Sequence, residues 1–342
     1  MKRLLPHIVG LLTLLADASV ANAADQALID AAKKDGQVTW YTTLIVNQTA
    51  QPVAEAFQKK YGIKVNYIRN ESSDILVRIL NELKAGQLQA DVLDGTSGAP
   101  ALKRAGALQK WLPDIAAKLP KEYSDPDGYW IATSLYVQAI AYNTELVKKQ
   151  DAPQSLEDLL DPKWKGKIAM SASPSAPGVG GFIGFVLTSM GDQRGTDYLR
   201  KLAGQNLNIL QSSTRLVVDQ VMAGEFAIAA HALNHHIAFS ANRGAPVAWV
   251  QTKPQTMSSL LVLGLLKGPR SNAGKLLIDF LMSDEGQAIF RDADYTPVAP
   301  NVPPKDPSLR PDNVNFKSIY FNPETIDESQ KKWMDLYQQI LR

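Results

Sequence analysis

Cysteine is absent from the 342 residues. That absence excludes disulfides, a thiol nucleophile, thiolate metal sites and acylation of a lipoprotein cysteine. Charge of one sign is also lacking: 36 Lys+Arg stand against 34 Asp+Glu, a formal net charge of +2. No basic run or stripe breaks this balance, so the chain offers nucleic acid no electrostatic footprint. There is no Gly-x-Ser-x-Gly elbow, no Gly-Lys-Ser/Thr after a glycine-rich loop and no outstanding carboxylate pair, so no familiar catalytic pattern is met. Beyond the N-terminus no apolar run reaches the roughly 18 residues of a membrane span. What is present, 45% hydrophobic residues with 22 Gly and 20 Pro, is an ordinary globular composition. At this length it implies two lobes rather than one core.

Lys2 and Arg3 precede an apolar run from Leu4 to Leu15, broken only by Pro6, His7, Gly10 and Thr13, and followed by the small-residue triplet Ala21-Asn22-Ala23. This is the pattern of a secretory signal peptide cleaved after Ala23. It is too short, and too interrupted by Pro and His, to anchor in a membrane. Residues 1–23 are therefore set aside, and a free, exported protein with no membrane insertion is expected.

From Gly36 onward short apolar strands alternate with amphipathic helices. Gln37 to Tyr41, Ile63 to Ile68 and Ala90 to Leu93 read as strands, and Pro52 to Lys59 and the segment opening at Ser72-Ser73-Asp74 read as helices. This alternation predicts an α/β fold with parallel strands and crossover helices. The unbroken run from Tyr129 to Asn143 is too long for one ordinary strand and is expected to cross between lobes. A second extended stretch, near Ala248 to Val250 and Leu260 to Gly264, is expected to return. A sheet flanked by helices is then expected in each lobe: residues 24–133 plus 256–342, including the C-terminal helices, in lobe 1, and 134–255 in lobe 2.

In open parallel sheets ligands bind beyond the carboxyl ends of the strands. Thr42 and Thr43 follow the first strand, and Thr96 and Ser97 the third. In the other half, Ser171 to Gly181, with Ser173, Ser175 and Ala176, leads into an apolar helix whose free N–H groups suit an oxyanion; a plain capped turn explains the same loop equally well. Ser212-Ser213-Thr214 with Arg215 likewise precedes a helix. His231 and His235 are four apart and share a face if that segment is helical, with His236 beside them. The zinc-protease pattern fails because Ala232 stands where its general-base Glu belongs. Tyr41, Tyr129, Trp130, Tyr136 and Tyr295, near strand ends, are candidate pocket walls.

Ala141-Tyr-Asn-Thr-Glu-Leu-Val147, followed by Pro153-Gln-Ser-Leu-Glu-Asp-Leu-Leu-Asp-Pro-Lys-Trp-Lys-Gly-Lys-Ile-Ala169, is similar to the periplasmic solute-binding proteins of ATP-binding-cassette importers, in the ferric-iron-type branch of extracellular solute-binding family one. Ala90-Asp-Val92, Val221-Met-Ala-Gly-Glu225 and Tyr295-Thr-Pro-Val298 add to the resemblance. It implies a two-lobed, type II-like clamshell that closes on a small solute and docks on an inner-membrane permease. The protein would be a monomer with no cofactor and no enzymatic turnover. In iron-binding relatives a Tyr-Tyr pair ligates the metal; its positions match His235 and His236 here, and a histidine of some members falls near Ile45. Hard ferric ion prefers oxygen donors to neutral imidazole, so ferric or other metal import through His235 and His236 is the alternative and an anion the primary expectation. A metal-dependent secreted hydrolase using the histidines, or a sensor subunit, are readings of other classes. The expected site joins Thr42, Thr43, Thr96 and Ser97 to Ser173, Ser175, Ala176, Ser213 and Arg215. His235 and His236 would be donors, with Tyr41, Tyr136 and Tyr295 as walls.

Overall fold

The computed structural model describes residues 20–309 and 317–342. Residues 1–19 of the expected signal peptide lie outside them, and Val20 opens the first helix, α1 (Val20–Asp35), which runs past Ala23. There follow β1 (Gln37–Thr42), α2 (Gln51–Tyr61), β2 (Lys64–Arg69), α3 (Ser72–Lys84), β3 (Val92–Gly95) and α4 (Ala99–Arg104). As the alternation required, β1 pairs in parallel with both β2 and β3. Helix α2 starts with Pro52 in its first turn, where a missing N–H costs nothing. It stops at Gly62, whose φ of 73° lets its N–H close on the Gln58 carbonyl. Ser72 and Ser73 are the first residues of α3 and do not cap it: Glu71 is the N-cap, without a side-chain bond, and the hydroxyl of Ser72 accepts from the Thr96 N–H instead.

The long apolar run forms β4 (Ile131–Asn143), buried throughout. Next come β5 (Ile168–Ser171), α5 (Val179–Met190), α6 (Asp192–Ala203), β6 (Asn208–Leu210), α7 (Thr214–Met222), β7 (Ile228–Leu233), α8 (Asn234–Ala241), β8 (Val247–Val250) and β9 (Thr256–Leu265). The chain ends through α9 (Ser271–Met282), α10 (Asp284–Asp292), β10 (Thr296–Pro297), β11 (Ser318–Phe321) and α11 (Pro323–Leu336). The main sheet path is β2-β1-β3-β9-β4-β7-β5-β6. Its two central strands are the crossings. Ile131 and Leu135 of β4 belong to a core with Trp40, Phe57, Phe280 and Phe290, whereas Ile140 and Tyr142 belong to a second core with Ile168, Phe182 and Leu199. β9 divides likewise, with Met257 in the second core and Leu260 to Leu263 in the first. A strand buried on both faces has no polar alternation, which is why the run looked too long in sequence.

Asp91, in the Ala90-Asp-Val92 motif, is a structural carboxylate. It is fully buried and accepts from the N–H of Thr39 (2.8 Å), the N–H of Arg270 (3.0 Å) and the Arg270 guanidinium (2.7 Å), fastening the start of α9 to the sheet.

The last helix corrects the assignment of all C-terminal helices to lobe 1. α9 and α10 pack on the first core, but Ile326, Trp333 and Tyr337 are buried in the second, against α5 and α6. The front of α11 reaches back to the first lobe: Trp130 donates to Glu324 (3.0 Å) and Arg104 pairs with Asp327 (2.8 Å). An amphipathic stripe states that a face is buried and not against what; here the acceptor is Gly184 of α5, where any Cβ would overlap the Trp333 indole. Gly184→Ala is accordingly expected to lower stability by about 1–3 kcal/mol through overpacking, read as an earlier urea midpoint with unchanged slope. An unchanged midpoint would mean that α11 shifts freely and does not fix the second lobe.

Candidate functional site

The parallel register of β1 with β2 sets Thr42 level with Arg69, and β3 ends at the same edge. The residues just beyond these ends therefore converge: Thr43 after β1, Arg69 to Ser72 from β2 into α3, and Thr96 after β3. Asp94 orients this jaw from beneath. It is fully buried, and its Oδ1 accepts from both the N–H and the hydroxyl of Thr43, each at 2.7 Å. Burial pushes its carboxyl up to about 6 against the hydrogen bonds that hold it charged.

In the second lobe β5, β6 and β7 are parallel neighbours, so the N-termini of α5, α7 and α8 face the first jaw. The Ser171 to Gly181 loop folds back beneath α5 so tightly that a Cβ at Gly178, Gly180 or Gly181 would collide with the carbonyls of Ser173, Pro174 and Ala176 respectively. These glycines serve close backbone approach. Ser173 and Ser175 hydroxyls share a 2.7 Å hydrogen bond, and Ser213 caps α7 by accepting from the Leu216 N–H at 3.3 Å.

The jaws meet around a cavity of about 30 Å³ lined by Thr43, Arg69, Glu71, Ser72, Thr96 and Tyr136 on one side and Ser175, Pro177, Ser213, Thr214, Arg215, Leu233 and His236 on the other. That is room for little more than a pair of waters. Of the expected residues, Thr43, Thr96, Tyr136, Ser175, Ser213, Arg215 and His236 line it. The others do not. Tyr41 points to the opposite face of the sheet, where its hydroxyl donates to Glu82 (2.6 Å), the Arg78 guanidinium covers its ring, and burial, with Glu82 assisting, pushes its phenol up to about 12. Thr42 accepts from the Leu44 N–H (3.1 Å) and is part of the scaffold. Ser97 is outside the lining, and Ser173 acts through Ser175. The carbonyl of Ala176 is bonded to His231 at 3.2 Å.

The shared helical face proposed for His231 and His235 does not exist, because His231 lies in β7 and His235 in the first turn of α8. His231 is a satisfied core histidine, and burial pushes its imidazole down to about 4. His235 is fully buried, stacked on Tyr295 at 3.9 Å between ring centroids and 4.5 Å from His236, and neither ring nitrogen has a partner among the described residues. Tyr295 is thus a wall for His235, not for the cavity. Burial, then the charges of Arg215 and Arg69, hold His236 down to about 3, so it faces the cavity as a neutral imidazole. Among the described residues no three His, Asp or Glu side chains are grouped to hold a metal ion.

Two arginines dominate the electrostatics. Arg69 comes from the first lobe and Arg215 from the second, and each is held by its own carboxylate, Glu71 at 2.7 Å and Asp219 at 2.8 Å. Sequence reading missed Arg69, Glu71 and Ser72. The signal was available: loops after the first and third strands were candidates, and the second, parallel between them in chain order, must end at the same edge.

The comparisons agree with this architecture. The model of the family described as bacterial extracellular solute-binding protein matches residues 90–322. The putative 2-aminoethylphosphonate-binding periplasmic protein of Salmonella typhimurium is 28% identical over 312 residues, covering 88% of this chain and 85% of that one. Iron uptake protein A1 of Synechocystis is 30% identical over 159 residues, 45% of this chain and 43% of its own. Among solved structures, the periplasmic binding protein AfuA of Actinobacillus pleuropneumoniae with exogenous fructose-6-phosphate bound superposes with a TM-score of 0.75 at 24% identity, over 90% of this chain and 98% of that one. Iron-bound HitA of Pseudomonas aeruginosa gives 0.73 at 24% identity, over 89% and 99%. With its two cores joined by crossing strands and a cavity between the jaws, the chain belongs to the bacterial extracellular solute-binding proteins, the solute-capturing components of ATP-binding-cassette importers.

Proposed function

We propose that the cleft captures a small oxyanion of the phosphonate or phosphate class in the periplasm and presents it to a membrane permease. One observation carries this reading: Arg69 and Arg215, on opposite lobes, line a single cavity. A planar guanidinium suits a tetrahedral oxyanion. Around the pair stand the hydroxyls of Ser72, Thr96, Ser175 and Ser213, while those of Thr43 and Thr214 are spent on Asp94 and the Pro177 carbonyl; Ser213 and Thr214 open α7, whose dipole adds to the attraction. Hydrogen bonds to a charged group contribute about 1.5–3 kcal/mol each, and a micromolar Kd needs about 8. Four or five such bonds in a closed cleft reach it. The name of the Salmonella relative supports the phosphonate class. Ferric ion fits the cavity less well, since His236 offers it an imidazole nitrogen where a hard ion prefers oxygen, and His235 is turned into a stack with Tyr295.

The protein, freed of residues 1–23 on export, is expected to act without turnover. Titration calorimetry with 2-aminoethylphosphonate, inorganic phosphate and ferric citrate tests this. Phosphonate or phosphate should bind with micromolar Kd and, at a hundredfold excess over Kd, stabilise the fold by about 2.7 kcal/mol, with compaction in small-angle scattering. Stoichiometric ferric binding with no response to either anion would refute the reading.

A further inference from the structure

The lining of the main cleft holds one side chain that can only accept hydrogen bonds, the Glu71 carboxylate. The two arginines can only donate, the hydroxyls can do either, and the neutral imidazole of His236 has one nitrogen of each kind. Glu71 stands where β2 gives way to α3, and its side chain keeps 31% of its surface exposed. Its Oε1 is enclosed against the Arg69 guanidinium at 2.7 Å. Oε2 makes no hydrogen bond among the described residues and is not enclosed, so the exposure of the carboxylate lies on that oxygen. The matching carboxylate of the second lobe, Asp219, holds Arg215 at 2.8 Å from outside the lining. Holding an arginine therefore does not require a carboxylate in the cleft.

A carboxylate beside an oxyanion repels it unless a hydrogen lies between their oxygens. Sulfate and sulfonates carry no such hydrogen at neutral pH, so their oxygens would meet Oε2 lone pair to lone pair. A phosphonate or phosphate that keeps one P–O–H brings the hydrogen with it. The charges of the lining favour the same class: Arg69 and Arg215 outweigh Glu71 by a single positive charge, His236 being neutral, which suits a solute that has not lost its last proton.

We propose, resting on the oxyanion reading of this cleft, that Glu71 is its specificity determinant: Oε2 accepts the P–O–H hydrogen of a phosphonate or phosphate, Arg69 and Arg215 donate to the unprotonated oxygens, and sulfate and sulfonates are refused. The hydrogen stays on the solute, and no proton passes to Glu71. A site built to hydrogen-bond a hydroxyl rejects the isostere that lacks it far more strongly than an apolar pocket rejects a change of size, because its own acceptor is left unpaired.

The test compares ions of equal charge and nearly equal shape by titration calorimetry on the exported chain. At about pH 6.5 methylphosphonate and methanesulfonate are both monoanions, and at about pH 8.5 hydrogen phosphate and sulfate are both dianions, so the members of each pair differ by one donor hydrogen. The phosphorus ion should bind more tightly by about a hundredfold, and by no less than tenfold, in each pair that binds. Glu71→Gln removes a charge that weakens every anion alike, so the readout is the ratio within a pair. The Gln amide can donate to a sulfonate, and the ratio should shrink at least threefold while methanesulfonate binding itself strengthens, a gain that misfolding cannot produce. A wild-type ratio below about tenfold, or one that Glu71→Gln changes by less than about threefold, would overturn the assignment and leave the oxyanion reading standing. Binding of neither phosphorus ion would overturn the oxyanion reading, and the assignment with it.

Discussion

Replacing Arg69 and Arg215 together by alanine is expected to lower affinity for a phosphonate by about 10²–10⁴-fold. Each guanidinium supplies charge-assisted hydrogen bonds of about 1.5–3 kcal/mol, and 1.4 kcal/mol is a factor of ten. The upper end is favoured because the variants also release Glu71 and Asp219, which then repel the anion that their partners attracted. The empty protein should melt within a few degrees of wild type, since both ion pairs remain partly open to water and contribute about 1 kcal/mol or less each. The two single variants carry the mechanistic information. Their residues lie on opposite lobes, so a solute that bridges the cleft loses affinity by comparable factors in both. Loss confined to Arg215→Ala would mean that the solute rests on the second lobe alone. Affinity within threefold of wild type in the double variant, measured by calorimetry, would remove the arginines from the site.

What sequence made legible follows from periodicity and chain order. Strand and helix alternate with distinct repeats, so the parallel units before β4 could be read, and a solid apolar run could be read as the crossing strand. The polar rim was read in part, because hydroxyls after strand ends have few other places to go: Thr43 and Thr96 on one jaw and Ser175 and Ser213 on the other do share a cavity. Orientation was not legible. Tyr41 and Thr42 follow one another at the end of β1 and point to opposite faces, and only register with β2 and β3 decides which faces are covered. The histidines show the same limit. Spacing by four matches a helix, but the chain changes from strand to helix between His231 and His235, and no local pattern records a change enforced by packing on β4. Arg69 to Ser72 was passed over because a polar stretch between strand and helix reads as a turn. Its role comes from the neighbouring strand ends, which are distant in sequence.

The same histidines give the largest expected effect on stability, which is in acid. In the fold His231 is held down to about 4, His236 to about 3 and His235 well below its ordinary value, in each case chiefly by burial. An unfolded histidine titrates near 6.5, so as pH falls below that value the unfolded chain takes up three protons that the fold refuses, and stability is lost. Asp94 acts in the opposite sense. Raised to about 6 in the fold from 3.8, it takes up a proton on acidification through pH 6 that the unfolded chain does not yet bind, and stability is gained. Between about pH 6 and 4.5 the unfolded state binds a net two protons more, a slope of about 2.7 kcal/mol per pH unit. Against a total of about 5–15 kcal/mol this is large. Urea midpoints should therefore fall steeply below pH 6, and His235→Phe, which keeps a ring against Tyr295 but cannot be protonated, should roughly halve the slope. Stability that is flat from pH 6.5 to 5 would show that the imidazoles are hydrated or paired. His235 stacks across the lobe boundary on Tyr295, so its protonation acts first on closure. Solute affinity should fall with acidification in the same sense as stability, and His235→Phe should retain more of it at pH 5 than wild type does.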